Sequence, residues 1–350
     1  MNSRFTAQNP IGVGVVGMGF MGATQVRAVH AAARDGLPCR LAAVCDAAPD
    51  RLTGTVATAG NIATGAGDRL FDPASVATYT DFEAMLADDR VHLVIICTHT
   101  DTHVDLSRRA LEAGKHVLVE KPVALTAAGC RELASAAKAA AARGFLCMPA
   151  MCIRYWPAWA WLKERIDSRE FGAVKSASFQ RLGSGPSWGA DFYRNNARSG
   201  GALVDLHIHD TDFVTWCFGT PREVVSAGTL DHVTTLYRYD HGPRHVTAQG
   251  GWDQAPGFPF KMRFIVTFEH ATADWDLTRT PPLLLCRDGK AEPTPLPEWL
   301  GYDGEVRAMV RAIASGASEP PTTVDDAVRT AVVLDAERRS LETGAAVRVG

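Results

Sequence analysis

Three polar side chains stand where acid–base chemistry on an alcohol is practical. Lys121 follows the apolar run His116-Val117-Leu118-Val119, which reads as a short buried strand. Glu120 and Lys121 interrupt that run, and Pro122 prevents the ladder from continuing. A lysine at the carboxyl end of a buried strand lies where open α/β sheets bind ligands. Asp205 and His209 fall on a second stretch, Ser199 to Phe218, which reads as one helix capped at Ser199 and stopped by Gly219 and Pro221. At about 100° per residue, Asp205, His209 and Asp212 share a face while His207 points nearly opposite. A metal site using His207 and His209 would want both on one strand face, which a helix denies. A carboxylate and an imidazole one turn apart suit proton exchange, with Asp205 near a substrate hydroxyl and His209 taking its proton. The plainer alternative is a structural helix whose His209 and Asp212 only make internal hydrogen bonds.

These side chains need a scaffold, and the amino-terminal pattern supplies one. Ile11 to Gly17 reads as a strand, Gly17-Met18-Gly19-Phe20-Met21-Gly22 as a turn, and an alanine-rich helix follows to about Arg34. G-x-G-x-x-G gains weight from lying between a strand and a helix. The first glycine permits the tight turn, the second lets a pyrophosphate approach the backbone, and the third lets helix and strand pack closely. The helix N-terminus then faces the phosphate charge. The competing reading is a purely structural turn. Leu41 to Asp46 reads as a second strand whose terminal carboxylate is placed to accept both ribose hydroxyls. Asp46 would repel a 2′-phosphate and so favours NAD over NADP; Arg51, close behind, offsets that repulsion and leaves NADP open. Alternatively, Asp46 only caps the helix start at Ala47-Ala48-Pro49-Asp50.

Residues 59 to 75 read as a loop, after which Val76 to Tyr79, Phe82 to Leu86 and Val91 to Cys97 restore the strand–helix alternation. Strand 91–97 is apolar throughout, as expected of a central strand buried on both faces. A helix over 126–143 and a strand over 145–151 complete a doubly wound parallel sheet. Beyond Arg154 the pattern changes to a tryptophan-bearing helix, a polar aromatic loop, and runs of strands between 222 and 286. The fold class expected is α/β: a Rossmann doubly wound parallel sheet over 1–150, then a second α/β domain, mostly antiparallel in its strands, over 151–350.

Composition removes other classes. At 350 residues, with 46% hydrophobic and 21% charged residues, the chain is globular and long enough for two cores. A net charge of −3, with no basic aromatic-laced run, gives no reason to expect nucleic acid or an anionic membrane as partner. The eight cysteines include no C-x-x-C pair, so neither a zinc site nor a disulfide framework is expected. A polar N-terminus and the lack of any run near the ~18 apolar residues of a membrane span point to the cytoplasm.

Taken together, the first-turn glycines, Glu120-Lys121-Pro122, Arg154-x-x-Pro157 and G-G-x-L-x-D-x-x-x-H-x-x-D at 200 to 212 resemble one family. It is the glucose-fructose oxidoreductase / inositol dehydrogenase / rhizopine catabolism (Gfo/Idh/MocA) superfamily of NAD(P)-dependent enzymes, and the resemblance covers essentially the whole chain. It implies that Lys121 hydrogen-bonds the reacting hydroxyl, that Asp205 holds the substrate, and that His209 is the base in oxidation or the acid in reduction. Cofactor contacts are then expected from Gly17, Gly19, Phe20, Met21, Gly22, Asp46, Arg51, Thr98, His99, His103, Glu120 and Lys121. Substrate contacts are expected from Lys121, Arg154, Trp188, Tyr193, Asp205 and His209. Taken singly, Trp188, Tyr193, Asn195 and Arg198 are more simply ordinary loop residues.

The implied substrate is polyhydroxylated, a sugar, cyclitol or sugar derivative, and the implied assembly is a homo-oligomer, dimer or tetramer. Two other activities occur in the same family: glycosidases that act by transient oxidation with bound NAD, and regulators that bind cofactor and sugar without turnover. Two positions depart from the family pattern. His99 stands where proline is usual, near the expected nicotinamide ribose, and His207 stands where glycine is usual, an effect expected on packing more than on chemistry.

Overall fold

The computed structural model describes residues 5–55, 69–186, 190–193 and 195–350. From the amino end, β1 (Ile11–Val16) leads into α1 (Phe20–Arg34), β2 (Cys39–Cys45), a 3-10 turn (Pro49–Leu52) and β3 (Ala77–Tyr79). There follow α2 (Phe82–Leu86), β4 (Leu93–Ile96), α3 (His103–Glu112), β5 (His116–Val119), α4 (Ala127–Ala141) and β6 (Cys147–Pro149). The second half opens with α5 (Pro157–Ser168) and β7 (Val174–Ser184), then α6 (Ala190–Tyr193), α7 (Asn196–Ser199), α8 (Gly201–Asp205) and α9 (Ile208–Phe218). Strands β8 (Glu223–Thr229), β9 (His232–Arg238), β10 (His245–Gln254), β11 (Lys261–Phe268), β12 (Thr272–Asp276), β13 (Leu283–Arg287) and β14 (Lys290–Pro293) come next. Helices α10 (Gly301–Ser315) and α11 (Val324–Thr343) and strand β15 (Val347–Arg348) end the chain. No described helix is long and apolar enough to cross a membrane.

The first unit is built on a parallel sheet in the order β3-β2-β1-β4-β5-β6. This is the doubly wound arrangement, with its order reversing between β1 and β4, so that ligands are received at the carboxyl ends of those strands. Every residue of β1 and β4 is buried, as continuous apolar runs covered on both faces require. The unit comprises the chain through Ala124, Ala128–Cys152 and, out of sequence, Leu300–Ala327. A boundary at 150/151 therefore needs correction at the carboxyl side. Helix α10 packs on α1, where Arg307 Nε donates to Asp35 Oδ2 at 3.0 Å and Gln25 Nε2 donates to Glu305 Oε1 at 2.7 Å.

The second unit holds a sheet in the order β14-β13-β12-β11-β7-β10-β9-β8-β15. All its pairings are antiparallel except β7 with β10, which is parallel. Strand β11 shows why one face is covered: Met262, Phe264, Val266 and Phe268 are buried while the alternate residues are not. Trp159 of α5 seals that face, meeting Trp275, Phe264 and Phe213 edge-on at 4.4, 5.1 and 6.4 Å between ring centroids. Phe213 lies on α9, so the core that holds the sheet also holds the helix bearing His209.

Candidate active site

The glycine turn has the shape its spacing predicts. Gly17 sits at φ +85°, and a Cβ there would lie 2.7 Å from the Cys97 carbonyl oxygen. A Cβ on Gly22 would lie 2.1 Å from the Gly17 oxygen, which is the close helix–strand approach only glycine allows. Among the described residues a Cβ on Gly19 would meet nothing and no side chain caps α1 at Gly19, which suits the approach of an anion to the helix N-terminus. Asp46, buried at the end of β2, accepts from Met18 N at 2.7 Å and from Ala48 N at 2.9 Å. Asp46 does not cap the following 3-10 helix, whose N-cap is Ala48; its bond to Ala48 N closes a local turn, and the same carboxylate locks the glycine turn. Each oxygen keeps a second acceptor site for a ribose hydroxyl. The exposed Arg51 lies 3.5 Å from Asp46 Oδ2, close enough to answer added negative charge there. The cradle, the uncapped helix and the carboxylate fit a dinucleotide.

At the end of β5, Glu120 N still donates to Ile96 O, so the ladder reaches one residue past the strand. Glu120 is 4% exposed; its Oε2 accepts from Lys121 N at 3.2 Å and its Oε1 from Gln25 Nε2 at 2.9 Å. His103, expected near the cofactor, is held from within the fold. Its ring is buried, with Nδ1 2.7 Å from the Pro122 carbonyl and Nε2 3.0 Å from the Thr98 carbonyl. Both nitrogens face internal carbonyls, so the ring braces the ends of β4 and β5 and thereby the backbone at Lys121. Burial pulls the imidazole below its ordinary pKa, against the two carbonyls, which favour the charged form. Thr98 Oγ1 meets Thr102 Oγ1 at 2.6 Å, and the exposed His99 stands at φ −73°. That angle is one proline also adopts, so the histidine leaves the local backbone course unchanged.

In the second unit, the stretch read as one helix is broken. Helix α8 starts from Gly200 at φ +77°, Ser199 ends the preceding α7, and Leu206 and His207 form a turn before α9. His207 N bonds to Ala202 O, five residues back, a wide turn of the kind found at functional sites. The expectation that Asp205 and His209 share a face by uninterrupted 100° steps fails for that reason: the half-buried Asp205 ends α8 and the buried His209 begins α9.

On either side of His209 the helix is held by buried polar residues. Asp210 takes Arg181 Nε and Nη2 of β7 at 3.1 and 3.0 Å. Asp212 takes Arg154 Nε and Nη2, both at 2.8 Å, and the Thr330 hydroxyl at 3.0 Å. The Thr211 hydroxyl donates to Glu337 Oε1 at 3.1 Å. His207 is fully buried, Nε2 standing 3.2 Å from Glu337 Oε2 and 3.3 Å from the Tyr237 hydroxyl. Burial and the Glu337 charge push the Tyr237 phenol up. Arg154, expected to touch substrate, is thus a strut of α9, with Asp212 across its fork and Trp216 beneath its guanidinium at 5.2 Å.

Of the expected substrate wall, Trp188 lies outside the described residues. Tyr193 packs edge-on against Trp252 at 5.8 Å, in a cluster with Ala202, Leu206 and Phe260 that flanks α8. Trp252 Nε1 donates to Asp231 Oδ1 at 2.7 Å. Sequence reasoning missed Gln25, Glu305, Arg181 and Glu337, all buried. The available signal was a polar residue in an apolar stripe, as for Glu305 one turn before Met309.

Comparison with known proteins follows this geometry closely. Residues 11–146 match the GFO/IDH/MocA model described as an oxidoreductase family with an NAD-binding Rossmann fold, and residues 159–274 match the GFO/IDH/MocA C-terminal domain. The chain belongs to the GFO/IDH/MocA family. Within it, an inositol 2-dehydrogenase of Rhizobium meliloti is 28% identical over 359 residues, covering 93% of this chain and 97% of that protein. A D-xylose 1-dehydrogenase (NADP(+)) of Haloferax volcanii is 26% identical, covering 77% and 84%. A levoglucosan dehydrogenase solved with NADH and levoglucosan has the same fold, with a TM-score of 0.81 at 20% identity over 97% of this chain and 99% of that one. Several matches at 30% identity or more span only 40% to 48% of the relative's length.

His207 has a matching vacancy opposite. A Cβ on Gly250 of β10 would come 2.8 Å from His207 Cβ and 2.9 Å from its Nδ1. Gly250→Ala is therefore expected to cost about 1–3 kcal/mol in urea unfolding. Adding His207→Gly should recover at least half of that loss, and strictly additive losses would rule out the packing couple. For the cofactor, Arg51→Ala should raise KM for NADP by about tenfold, the scale of one charge-assisted hydrogen bond, while leaving KM for NAD within about twofold. Equal effects on both would remove Arg51 from 2′-phosphate recognition.

Proposed function

We propose that the protein is an NAD(P)-dependent dehydrogenase or reductase acting on a secondary hydroxyl or carbonyl of a sugar, cyclitol or sugar derivative. The observation that carries this reading is the placement of Lys121. It stands at the carboxyl end of the sheet whose first turn is a dinucleotide cradle, with its backbone held by Glu120. The names of the related dehydrogenases, for inositol, xylose and levoglucosan, support a polyhydroxylated substrate.

Oxidising a secondary alcohol requires the hydroxyl proton to leave as the C–H bond gives up hydride. Bound NAD(P) would supply the hydride acceptor at its nicotinamide ring. Lys121 donates a hydrogen bond to the reacting oxygen and stabilises the negative charge that develops there. His209 accepts the hydroxyl proton in oxidation and returns it in reduction. Asp205 holds a substrate hydroxyl. The buried polar residues on either side of His209 hold the helix, which preserves the alignment that such a proton transfer needs.

Lys121→Ala should leave the Kd for cofactor within about threefold while lowering kcat by about 10²–10⁴. Wild-type turnover in that variant at saturating substrate would remove Lys121 from the reaction. A screen of sugars and cyclitols with NAD and NADP in parallel, followed by absorbance of reduced cofactor, tests the activity itself. Release of an aglycone without net reduced cofactor would overturn it in favour of a glycosidase.

Among the described residues, the partly exposed face of the second sheet supports a homo-oligomer, dimer or tetramer. On β7, β10 and β11 this face carries Ser178, Gln180, Thr247, Arg263 and Ile265, and Ile265 is 36% exposed. Light scattering should give a mass of at least two chains; a monomer at micromolar concentration refutes the assembly.

A further inference from the structure

Two buried carboxyl groups meet one amide behind the candidate lysine. Gln25 of α1 is fully buried, and its Nε2 donates both to Glu120 Oε1 at 2.9 Å and to Glu305 Oε1 at 2.7 Å. Glu120 uses its other oxygen to accept from Lys121 N. Glu305 is fully buried, and among the described residues its Oε2 meets no hydrogen-bond partner. An ionised Glu305 would leave a bare charged oxygen in the core beside a second carboxylate, whereas the neutral acid leaves only a hydroxyl.

We propose that Glu305, carried on α10 far from the rest of the site in sequence, is a positioning residue of the active site: as a neutral acid held by Gln25, it fixes the Glu120 carboxylate and, through it, the backbone that presents Lys121. The proposal rests on the dehydrogenase reading for its kinetic consequence only. The groups that face Glu305 are Gln25 on α1, Glu120 and Lys121 past β5, Cys97 past β4, and Asp303 on its own helix. Burial, then the Glu120 charge, push the Glu305 carboxyl well above the ordinary value of 4.5, against Gln25 and Lys121. The neighbouring Cys97 thiol is pushed up as well, by burial first and then by the Glu120 charge, so it stays a thiol.

The sign of the pH effect follows. Unfolded, Glu305 gives up its proton near 4.5, while the folded chain retains it. Stability is therefore greatest below that pH and falls as pH rises, until the folded group also ionises. Glu305→Gln keeps the neutral shape and removes this slope.

The test uses the full chain with Glu305→Gln and Glu305→Ala, and Gln25→Met as a second route to the same loss should the alanine variant not fold. Glu305→Gln should keep kcat within about twofold of wild type. Glu305→Ala or Gln25→Met should lose about tenfold or more in kcat, the scale of one buried hydrogen bond, with KM for cofactor within about threefold. By hydrogen–deuterium exchange, the segment spanning 116–124 should exchange faster in Glu305→Ala and Gln25→Met but not in Glu305→Gln. The infrared difference between wild type and Glu305→Gln at neutral pH should contain a protonated-carboxyl band, and the urea midpoint of Glu305→Gln should fall less between pH 5 and pH 9. A glutamine variant as impaired as the alanine variant, with no such band, means the charge matters and overturns the neutral acid. Unchanged exchange in both Glu305→Ala and Gln25→Met overturns the positioning role. If wild type oxidises no polyol, the functional reading fails, and exchange, infrared and unfolding data still decide Glu305.

Discussion

The four buried polar residues at the start of α9 constrain the second unit more than any apolar contact does. Asp210, Asp212, Thr211 and His207 cannot reach bulk water, so each must be answered from inside, and the answering groups come from several elements. Arg181 comes from β7, Arg154 from the segment before α5, Thr330 and Glu337 from α11, and Tyr237 from β9. Removing one partner of a buried ion pair typically costs about 3–5 kcal/mol, because the other charge remains buried. The helix cannot slide or turn without breaking several such contacts together. His209 inherits that rigidity from its neighbours on both sides.

The first unit uses the same logic with different groups. Asp46 ties the glycine turn to the start of the following segment, His103 ties the ends of β4 and β5, and Gln25 ties α1 to both Glu120 and α10. In each case a polar side chain that could have served a ligand directly first serves the backbone that the ligand would meet. Asp46 can do both, since a carboxylate accepts more bonds than the turn requires. His103 has both ring nitrogens turned to carbonyl oxygens of the backbone.

Much of this was legible in the chain. The apolar strands, the G-x-G-x-x-G turn between β1 and α1, the acid at the end of β2 and the lysine beyond β5 follow from local pattern, and each lies where that pattern puts it. Local pattern failed where long-range packing decided. The helix expected over 199–218 breaks at Leu206–His207, where His207 is drawn toward Glu337, Tyr237 and the gap left by Gly250. Arg154 is a strut because Asp212, 58 residues away, completes its fork. Helix α10 joins the first unit because α1 offers Asp35 and Gln25 to Arg307 and Glu305.

By itself, then, the sequence determined the α/β class, the dinucleotide turn and the family to which the residues at 17–22, 120–122 and 200–212 point. Those depend on backbone conformation and on short spacings that the chain states directly. Only the tertiary structure decided which of the chemically capable side chains, Arg154, His103 and Gln25 among them, are engaged in holding others. That choice turns on burial and on partners tens to hundreds of residues away: a carboxylate or guanidinium has the same chemistry wherever it occurs in the sequence, and only the fold determines whether water or a counter-charge answers it.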